Sequence, residues 1–275
     1  MGLKVINPLI KAVAKKVYVA PKMEVRTLES LGLKMEQLTG DVINIAQFSQ
    51  KAYKTINGKA INTSSIQNEE EFKIILEELM QGSSYKWKSV KNAFDYEKAI
   101  LPYAGRGDIS LDINTFLREG ILKNKTYIDI TEENIKKYIQ ALEYGLRHLD
   151  KEYGSYSGIV YRYGDFLSKT PNYVSTSDKI LGALKFANES NPCEKTYNII
   201  FTKHGHMINE MQKRLGFKFA ESESEILLDP GKSYIELIDD TPQLSSLREQ
   251  FYQEFNKAYP NCNSKDVKLN FWQEI

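Results

Sequence analysis

The chain has little cysteine and no surplus of either charge. Its 275 residues include only two cysteines, Cys193 and Cys262, which do not make a disulfide framework and therefore suit a reducing cytosol. Lysine and arginine number 37 against 36 aspartate and glutamate residues, so the net charge is +1. A balance of this kind gives no reason to expect nucleic acid as a partner.

Long apolar runs are also lacking. No stretch reaches the roughly 18 uninterrupted apolar residues of a membrane span, so we expect no stable membrane insertion. Near the N-terminus, Asn7, Pro8 and Lys11 interrupt the apolar residues, and no small-residue cleavage site of a secretory signal follows. Residues Lys11 to Tyr18 allow a basic amphipathic helix that touches a membrane or a partner, although a plain surface helix is favoured.

Glycine patterns for nucleotide binding are missing, because the chain has neither a Rossmann nor a phosphate-loop motif. It also has no internal repeat. His204 and His206 form a His-Gly-His pair, but no acidic or cysteine ligand follows at helical or zinc spacing. We therefore expect this pair to lie in a solvated loop rather than to bind a metal.

Against this background, the first informative stretch surrounds Arg162. It follows the apolar residues of a predicted strand flanked by Gly158 and Gly164. A planar guanidinium in such a place suits two-pronged binding of a phosphate. Alone, an arginine of this kind would more often form a surface ion pair.

The second stretch is Ser175, Thr176 and Ser177, which end a predicted strand. Their hydroxyls have the chemistry to orient a neighbouring carboxylate. The alternative is a helix cap, formed by Ser177 or Asp178, in front of the next predicted helix.

The third stretch contains Glu223 and Glu225, which lie two apart and would project to the same face of an extended segment. One carboxylate of such a pair can stabilise a developing positive charge while the other deprotonates an acceptor. A solvated acidic loop is the alternative. The order of an arginine strand, a Ser-Thr-Ser strand and a Glu-x-Glu segment indicates a site that handles NAD.

In these residues the chain resembles the R-S-E class of bacterial mono-ADP-ribosyltransferase toxins and effectors, of the arginine-specific type. Upstream, the segment from Ala99 to Gly120 resembles the Y-x-G…I-N-x-x-L-R segment of that family, and the resemblance extends from about Tyr85 to Ile275. It implies an α+β fold, in which two bent, mostly antiparallel sheets frame a NAD cleft and helices from the N-terminal side flank them.

The resemblance implies roles for individual residues. Glu225 would stabilise the positive charge on the ribose, Ser175 would hold Glu225, Arg162 would clamp the phosphates and Glu223 would select an arginine acceptor. Phe186 would stack on nicotinamide, unless it only packs in the core. The residues expected to bind NAD are Tyr103, Asn114, Arg118, Arg162, Tyr163, Asn172, Ser175, Thr176, Ser177, Phe186 and Glu225. NAD is the co-substrate, and no metal is expected.

The first third of the chain reads as a separate region. Helical periodicity over Met35 to Tyr53 and over Glu69 to Met80 predicts two helices with a polar stretch between them. Gly82, Ser83 and Ser84 make a plausible boundary. We therefore predict a helical accessory region over 1–82 and a catalytic domain over 83–275.

The predicted partner is a host or bacterial protein whose arginine is modified, and we expect the enzyme to be a monomer. A bacterial effector that leaves the cell without a general secretory signal and acts in a host cytosol fits this prediction. The alternatives are a phage enzyme acting in the bacterial cytoplasm, a NAD glycohydrolase and a NAD-binding pseudoenzyme.

Overall fold

The structure is a computed structural model that describes residues 50–82, 85–105, 109–122, 130–187, 192–238 and 241–275. Its helices are α1 (Glu69–Gln81), α2 (Asp95–Ala104), α3 (Ile109–Glu119), α4 (Glu132–Tyr153), α5 (Ile180–Ala187), α6 (Ile208–Arg214), α7 (Ala220–Glu223) and α8 (Pro242–Ala258). Its strands are β1 (Gln50–Lys54), β2 (Ala60–Ser64), β3 (Ser155–Tyr163), β4 (Val174–Ser177), β5 (Thr196–His206), β6 (Glu225–Leu228), β7 (Tyr234–Glu236) and β8 (Lys268–Glu274). In this part of the chain, no helix is long and apolar enough to cross a membrane.

A β-hairpin opens the described part of the chain, where the sequence predicted the end of a helix. Strands β1 and β2 pair antiparallel with Tyr53 opposite Ile61, and both side chains are buried in the core. The turn contains Asn57 and Gly58, and Gly58 has the positive φ of 79° that such a turn requires. The helical prediction is therefore wrong for residues 50–53, while its other residues, 35–49, lie outside the described chain, as do residues 11–18.

Helix α1 confirms the second predicted helix and connects the hairpin to the rest of the core. Asn68 caps it by accepting a hydrogen bond from the Glu71 amide at 2.9 Å. Its buried face includes Phe72, whose ring stacks on Tyr144 of α4 with centroids 4.3 Å apart. The described residues before position 82 thus share buried clusters with α2 and α4. Ser83 and Ser84 of the expected boundary lie outside the described residues.

The sheet consists of two parts that meet at single residue pairs. Strands β3, β5, β8 and β7 form a four-stranded part, in which only β5 and β8 run parallel. Strands β4 and β6 form an antiparallel ribbon. One pair, Tyr161 with Ser177, joins the ribbon to β3, and another, His206 with Leu227, joins it to β5. Apolar side chains of both parts form one buried cluster, and the α+β fold with two largely antiparallel sheets is confirmed.

Strand β5 includes both His204 and His206, which the sequence placed in a solvated loop. His206 is buried, with 4% of its surface exposed, and both imidazoles contact Asp150 and Asp229. The expectation of a solvated loop without acidic neighbours is therefore wrong. The two aspartates come from α4 and from the end of β6, so sequence spacing around the histidines gave no sign of them.

Cys193 and Cys262 form a disulfide, with their Cα atoms 5.2 Å apart. Cys193 lies in a short 3-10 turn before β5, and Cys262 lies in the turn after α8. Helix α8 packs against the cluster formed by β5, β8 and α5, which brings its C-terminal turn beside the start of β5. The expectation that the two cysteines make no disulfide is therefore wrong, because 69 residues of sequence separate partners that the packing of α8 brings together.

Candidate active site

Three strands bring Arg162, Ser175 and Glu225 together. Arg162 is the penultimate residue of β3, Ser175 lies on β4 and Glu225 begins β6. In the ribbon, Ser177 pairs with Glu225. Ser175 precedes Ser177 by two residues, so its side chain lies on the same face of β4. The pairing of Tyr161 with Ser177 sets the end of β3 beside this ribbon.

Hydrogen bonds connect the three residues. Arg162 Nη1 donates to the carbonyl oxygen of Ser175 at 2.7 Å, and the Ser175 side chain hydrogen-bonds to the Glu225 carboxylate. Arg162 is half-buried, and Glu225 is 8% exposed. The arrangement places a cation, a hydroxyl and a carboxylate around one point of the sheet.

Burial has a large effect on Glu225. Burial and, to a smaller extent, the charge of Glu223 raise the pKa of this carboxyl, hydrogen bonds from Ser175 and Gln212 lower it, and the net result is a pKa of about 7. A carboxyl with this pKa changes its charge near neutral pH. Small changes in its hydrogen bonding therefore decide whether it is ionised under physiological conditions.

Tyr103 and Asn114 reach the same site from α2 and α3. The Tyr103 hydroxyl accepts a hydrogen bond from Asn114 Nδ2 at 2.8 Å. Burial raises the pKa of Tyr103, and its immediate surroundings include Arg162, Ser175 and Glu225. The Oδ1 atom of Asn114 is buried and has no hydrogen-bond partner among the described residues, so it is an acceptor available to a ligand.

Glu223 lies on a helical turn and not on the predicted extended segment. Residues Ala220–Glu223 form one turn of helix, and Ser224 adopts the left-handed conformation with φ 45°. The expectation that Glu223 and Glu225 project from one extended segment is therefore wrong. The turn nevertheless places Glu223 close enough for its charge to act on Glu225.

Buried hydrogen bonds hold the strained Ser224 in this conformation. Its amide donates to the carbonyl of Ala220 at 3.0 Å, and its own carbonyl accepts the amide of Asp178 at 3.3 Å. Its hydroxyl accepts a hydrogen bond from Asn209 Nδ2 at 3.3 Å. A non-glycine residue in this conformation costs on the order of 1 kcal/mol, and such strain is found preferentially at functional sites.

The other two hydroxyls of the Ser-Thr-Ser stretch serve the fold. Thr176 donates to the carbonyl of Ile226 at 2.7 Å across the ribbon. Ser177 accepts the amide of Lys179 at 3.0 Å and so stabilises the entry into α5, as the capping alternative predicted. Both residues are buried, and the structure does not direct either hydroxyl toward Glu225.

Within the described residues, the side chains of the remaining predicted NAD-binding residues make no hydrogen bond to Arg162, Ser175 or Glu225. Arg118 pairs with the neighbouring Glu119 at 3.0 Å, and the Asn172 amide donates to the carbonyl of Tyr173 at 2.7 Å. Tyr163 ends β3 and is half-buried. Phe186 is half-buried on α5 and belongs to none of the buried clusters formed by the described residues.

Sequence reasoning missed Gln212, which holds the Glu225 carboxylate. Its Nε2 donates to Glu225 Oε2 at 3.0 Å and to the carbonyl of Ala104 at 3.2 Å, and the side chain is fully buried. A signal was present, since Gln212 lies four residues after Ile208 and one after Met211, on the apolar stripe of α6. A polar residue on such a stripe needs a buried partner.

No family model and no curated protein matches the chain. Several solved structures are similar to it. Vis toxin, an ADP-ribosyltransferase from Vibrio splendidus, is 15% identical over 76% of this chain and 87% of that chain, with a TM-score of 0.40. The eukaryotic mono-ADP-ribosyltransferase ART2.2 is 18% identical over 74% and 83%, with a TM-score of 0.44. The ADP-ribosyltransferase HopU1 of Pseudomonas syringae pv. tomato is 13% identical over 83% and 94%, with a TM-score of 0.42. At these identities and TM-scores, the likenesses assign neither a family nor an activity.

Proposed function

We propose that this protein is a NAD-dependent mono-ADP-ribosyltransferase that modifies an arginine side chain of another protein. The observation that carries the proposal is the convergence of Arg162, Ser175 and Glu225 from three separate strands. Tyr103 and Asn114, from the upstream segment of the same sequence pattern, reach the same point. Five residues chosen for one ligand thus surround one place.

The reaction breaks the N-glycosidic bond between nicotinamide and ribose, and positive charge develops on the ribose carbon, as in glycoside hydrolysis. Ionised Glu225 stabilises that charge, and Ser175 and Gln212 hold its carboxylate in place. Arg162 binds the diphosphate and keeps the ribose from moving away. Nicotinamide leaves with the bonding electrons, and the acceptor nitrogen attacks the ribose carbon.

Glu223 selects the acceptor. An arginine side chain is protonated at neutral pH, so it must be bound as a cation and lose a proton as it attacks. Glu223 is half-exposed beside buried Glu225, which suits a carboxylate that receives a guanidinium from solvent. It binds the cation first and takes the proton as the new C–N bond forms.

Isosteric variants separate these roles. We expect Glu225→Gln to lower both NAD hydrolysis and ADP-ribose transfer by on the order of 100-fold or more, because the charge-stabilising group is lost. Glu223→Gln should lose transfer to agmatine, a small guanidine acceptor, and keep hydrolysis of NAD. Glu221→Gln is the matched control, since Glu221 is an exposed carboxylate on the same helical turn.

Initial rates of nicotinamide release and of labelled agmatine formation measure the two activities. If Glu223→Gln transfers at the parental rate, the assignment of the acceptor-binding role is wrong. If the parent hydrolyses NAD but transfers ADP-ribose neither to agmatine nor to lysate protein, the enzyme is a NAD glycohydrolase. Binding of NAD with no turnover would identify a pseudoenzyme.

The setting of the enzyme follows from the same proposal. We infer that it acts as a monomer on a protein acceptor, either as a bacterial effector in a host cytosol or as a phage enzyme in the bacterium. The Cys193–Cys262 disulfide favours the exported effector over the phage enzyme, because such bonds form in oxidising compartments and are rare in a cytosol. Labelling a host-cell lysate with tagged NAD tests this setting and identifies the acceptor.

A further inference from the structure

A second polar cluster, which shares no residue with the candidate active site, lies at the end of β5. His204 and His206 are two apart on a strand, so their side chains project to the same face. The intervening Gly205 turns to the opposite face, where a Cβ atom would lie only 2.6 Å from Ile226 Cγ2. The strand is therefore held tightly on one side while it presents two imidazoles on the other.

Asp150 completes a set of three ligand atoms. Its Oδ1 lies 2.9 Å from His206 Nδ1, and its Oδ2 lies 3.2 Å from His204 Nε2. One ligand atom from each of the three residues lies within 4.8 Å of the others. Two ligands of a tetrahedral zinc ion with bonds of about 2.0–2.1 Å are roughly 3.3 Å apart, which is close to the two separations from Asp150.

Asp229 contacts the nitrogens on the other side of both imidazoles. Its Oδ1 lies 3.0 Å from His206 Nε2, and its Oδ2 lies 3.6 Å from His204 Nδ1. A histidine that binds a metal through one ring nitrogen usually donates the other N–H to a carboxylate, which fixes the tautomer and the ring orientation. Here Asp229 lies within hydrogen-bond distance of the outer nitrogen of His206, and its second oxygen lies close to that of His204.

We propose that Asp150, His204 and His206 bind one Zn²⁺ ion, with Asp229 orienting the two imidazoles. Two imidazole nitrogens and a carboxylate oxygen form a donor set that zinc accepts, and zinc binds such sites more tightly than Mn²⁺ or Fe²⁺ does. These four residues line a cavity of about 550 Å³ together with Arg147 and other side chains, and water from this cavity would complete the coordination.

The ion would connect elements that the fold otherwise joins weakly. Asp150 lies near the end of α4, the histidines end β5, and Asp229 directly follows β6. The pairing of β5 with β6 consists of one residue pair, His206 with Leu227. Zinc would hold this junction to the helical layer, and we expect it to raise the melting temperature and leave NAD turnover unchanged.

A rival arrangement needs no metal. Each imidazole lies between two carboxylates, so two imidazolium ions and two aspartates would form a neutral ion-pair cluster. The two arrangements differ in the number of metal ions that the folded protein binds. They also differ in how one histidine substitution changes metal affinity.

The test uses the full chain, stripped with a chelator and titrated with ZnCl₂ against a chromophoric competitor. We expect one Zn²⁺ per chain with submicromolar affinity, and a loss of about 100-fold in His204→Gln. His204 is chosen because its side chain is 28% exposed and its replacement leaves the buried His206 in place. Asp229→Asn should weaken binding by about 10-fold, as expected for an outer partner.

The matched control is His148→Gln, since His148 is the third of the three histidines in the chain and lines the same cavity. Its ring stacks on Tyr144 at 4.4 Å and is not a member of the ligand set. Its substitution should leave zinc affinity unchanged. In parallel, Co²⁺ should give the absorption bands of a four-coordinate ion in the parent and in His148→Gln, but not in His204→Gln.

Absence of stoichiometric zinc binding by the folded parent would overturn the proposal in favour of the ion-pair cluster. Equal affinity of the parent and His204→Gln would also overturn it, because zinc would then be bound elsewhere. Circular dichroism of each stripped variant shows that it is folded before titration. NAD turnover is measured separately, so the outcome does not depend on the proposed enzymatic function.

Discussion

At the residue scale, Glu225 combines two requirements that oppose each other. Its role as a charge stabiliser needs the ionised form, and its burial favours the neutral form. Ser175 and Gln212 stabilise the ionised form by hydrogen bonding, but burial still leaves the pKa at about 7. The site therefore becomes active only as this proton leaves.

This pKa predicts the pH dependence of NAD hydrolysis. Since the ionised fraction of a group with a pKa near 7 rises from about a tenth at pH 6 to nine tenths at pH 8, kcat/KM should rise roughly tenfold over that range. Initial rates between pH 5.5 and 8.5 measure it. A profile that is flat from pH 5.5 upward would contradict the assignment of Glu225. Gln212→Leu removes one donor and should move the acidic limb to higher pH.

The same group predicts how stability depends on pH. The pKa of Glu225 is higher in the folded protein than the value of 4.5 for an unperturbed glutamate, so its contribution is complete below pH 4.5 and is lost as pH rises through about 7. The loss is on the order of 3 kcal/mol. Glu225→Gln should therefore gain stability relative to the parent between pH 5 and pH 8. Urea denaturation at both values measures this, and an equal difference at the two pH values would refute it.

At the element scale, α5 supports the site from behind. A Cβ atom on Gly182 would lie 2.1 Å from Ser177 Oγ and 2.5 Å from the carbonyl oxygen of Glu223. Helix α5 therefore packs directly on the end of β4 and on the α7 turn that carries Glu223. Only glycine permits that distance.

Gly182→Ala should displace the turn that carries Glu223. We expect a loss of about 1–3 kcal/mol in the free energy of unfolding, together with a larger loss of transfer to agmatine than of NAD hydrolysis. Lys185→Ala, on the exposed face of the same helix, is the control for changes in helix propensity. Parental stability and transfer in Gly182→Ala would show that the packing is looser than the structure indicates.

Periodicity predicted the long elements and failed at the short ones. Helix α1 lies where apolar spacing predicts a helix, and strand β3 contains the strand predicted before Arg162, because one face of each packs on the core. The turn α7 was read as extended, since four residues are too few to show a helical period. Most of β1 falls in a predicted helix and β2 in a predicted polar stretch, although Asn57-Gly58 indicates a hairpin turn.

At the scale of the whole molecule, the disulfide closes a loop that includes β5, β6 and α8. Cys193 and Cys262 are 69 residues apart, and a loop of that length corresponds to up to about 4 kcal/mol of stabilisation through the unfolded chain. The double variant Cys193→Ser/Cys262→Ser should lose about 2–4 kcal/mol in the free energy of unfolding. Urea denaturation with and without a thiol reductant measures the loss.

The double variant should also be insensitive to the reductant, whereas the parent should lose stability to about the level of the variant. A parent that is unaffected by reduction would contradict a stabilising role for this bond. Because Arg162, Ser175 and Glu225 lie outside the two cysteine-bearing turns, the reduced protein should keep NAD hydrolysis at temperatures well below its melting point.

The sequence by itself determined which residues carry the proposed chemistry and which long elements hold them, because residue type and periodicity are local properties of a chain. Arg162, Ser175 and Glu225 could be identified in this way. The tertiary structure alone decided that Gln212 holds Glu225, that burial raises the pKa of this carboxyl and that Ser224 turns Glu223 toward the site. It alone also brought Cys193 to Cys262 and both aspartates to the histidines of β5. These contacts join residues far apart in the chain, and their distance depends on how helices and sheets pack rather than on any local pattern.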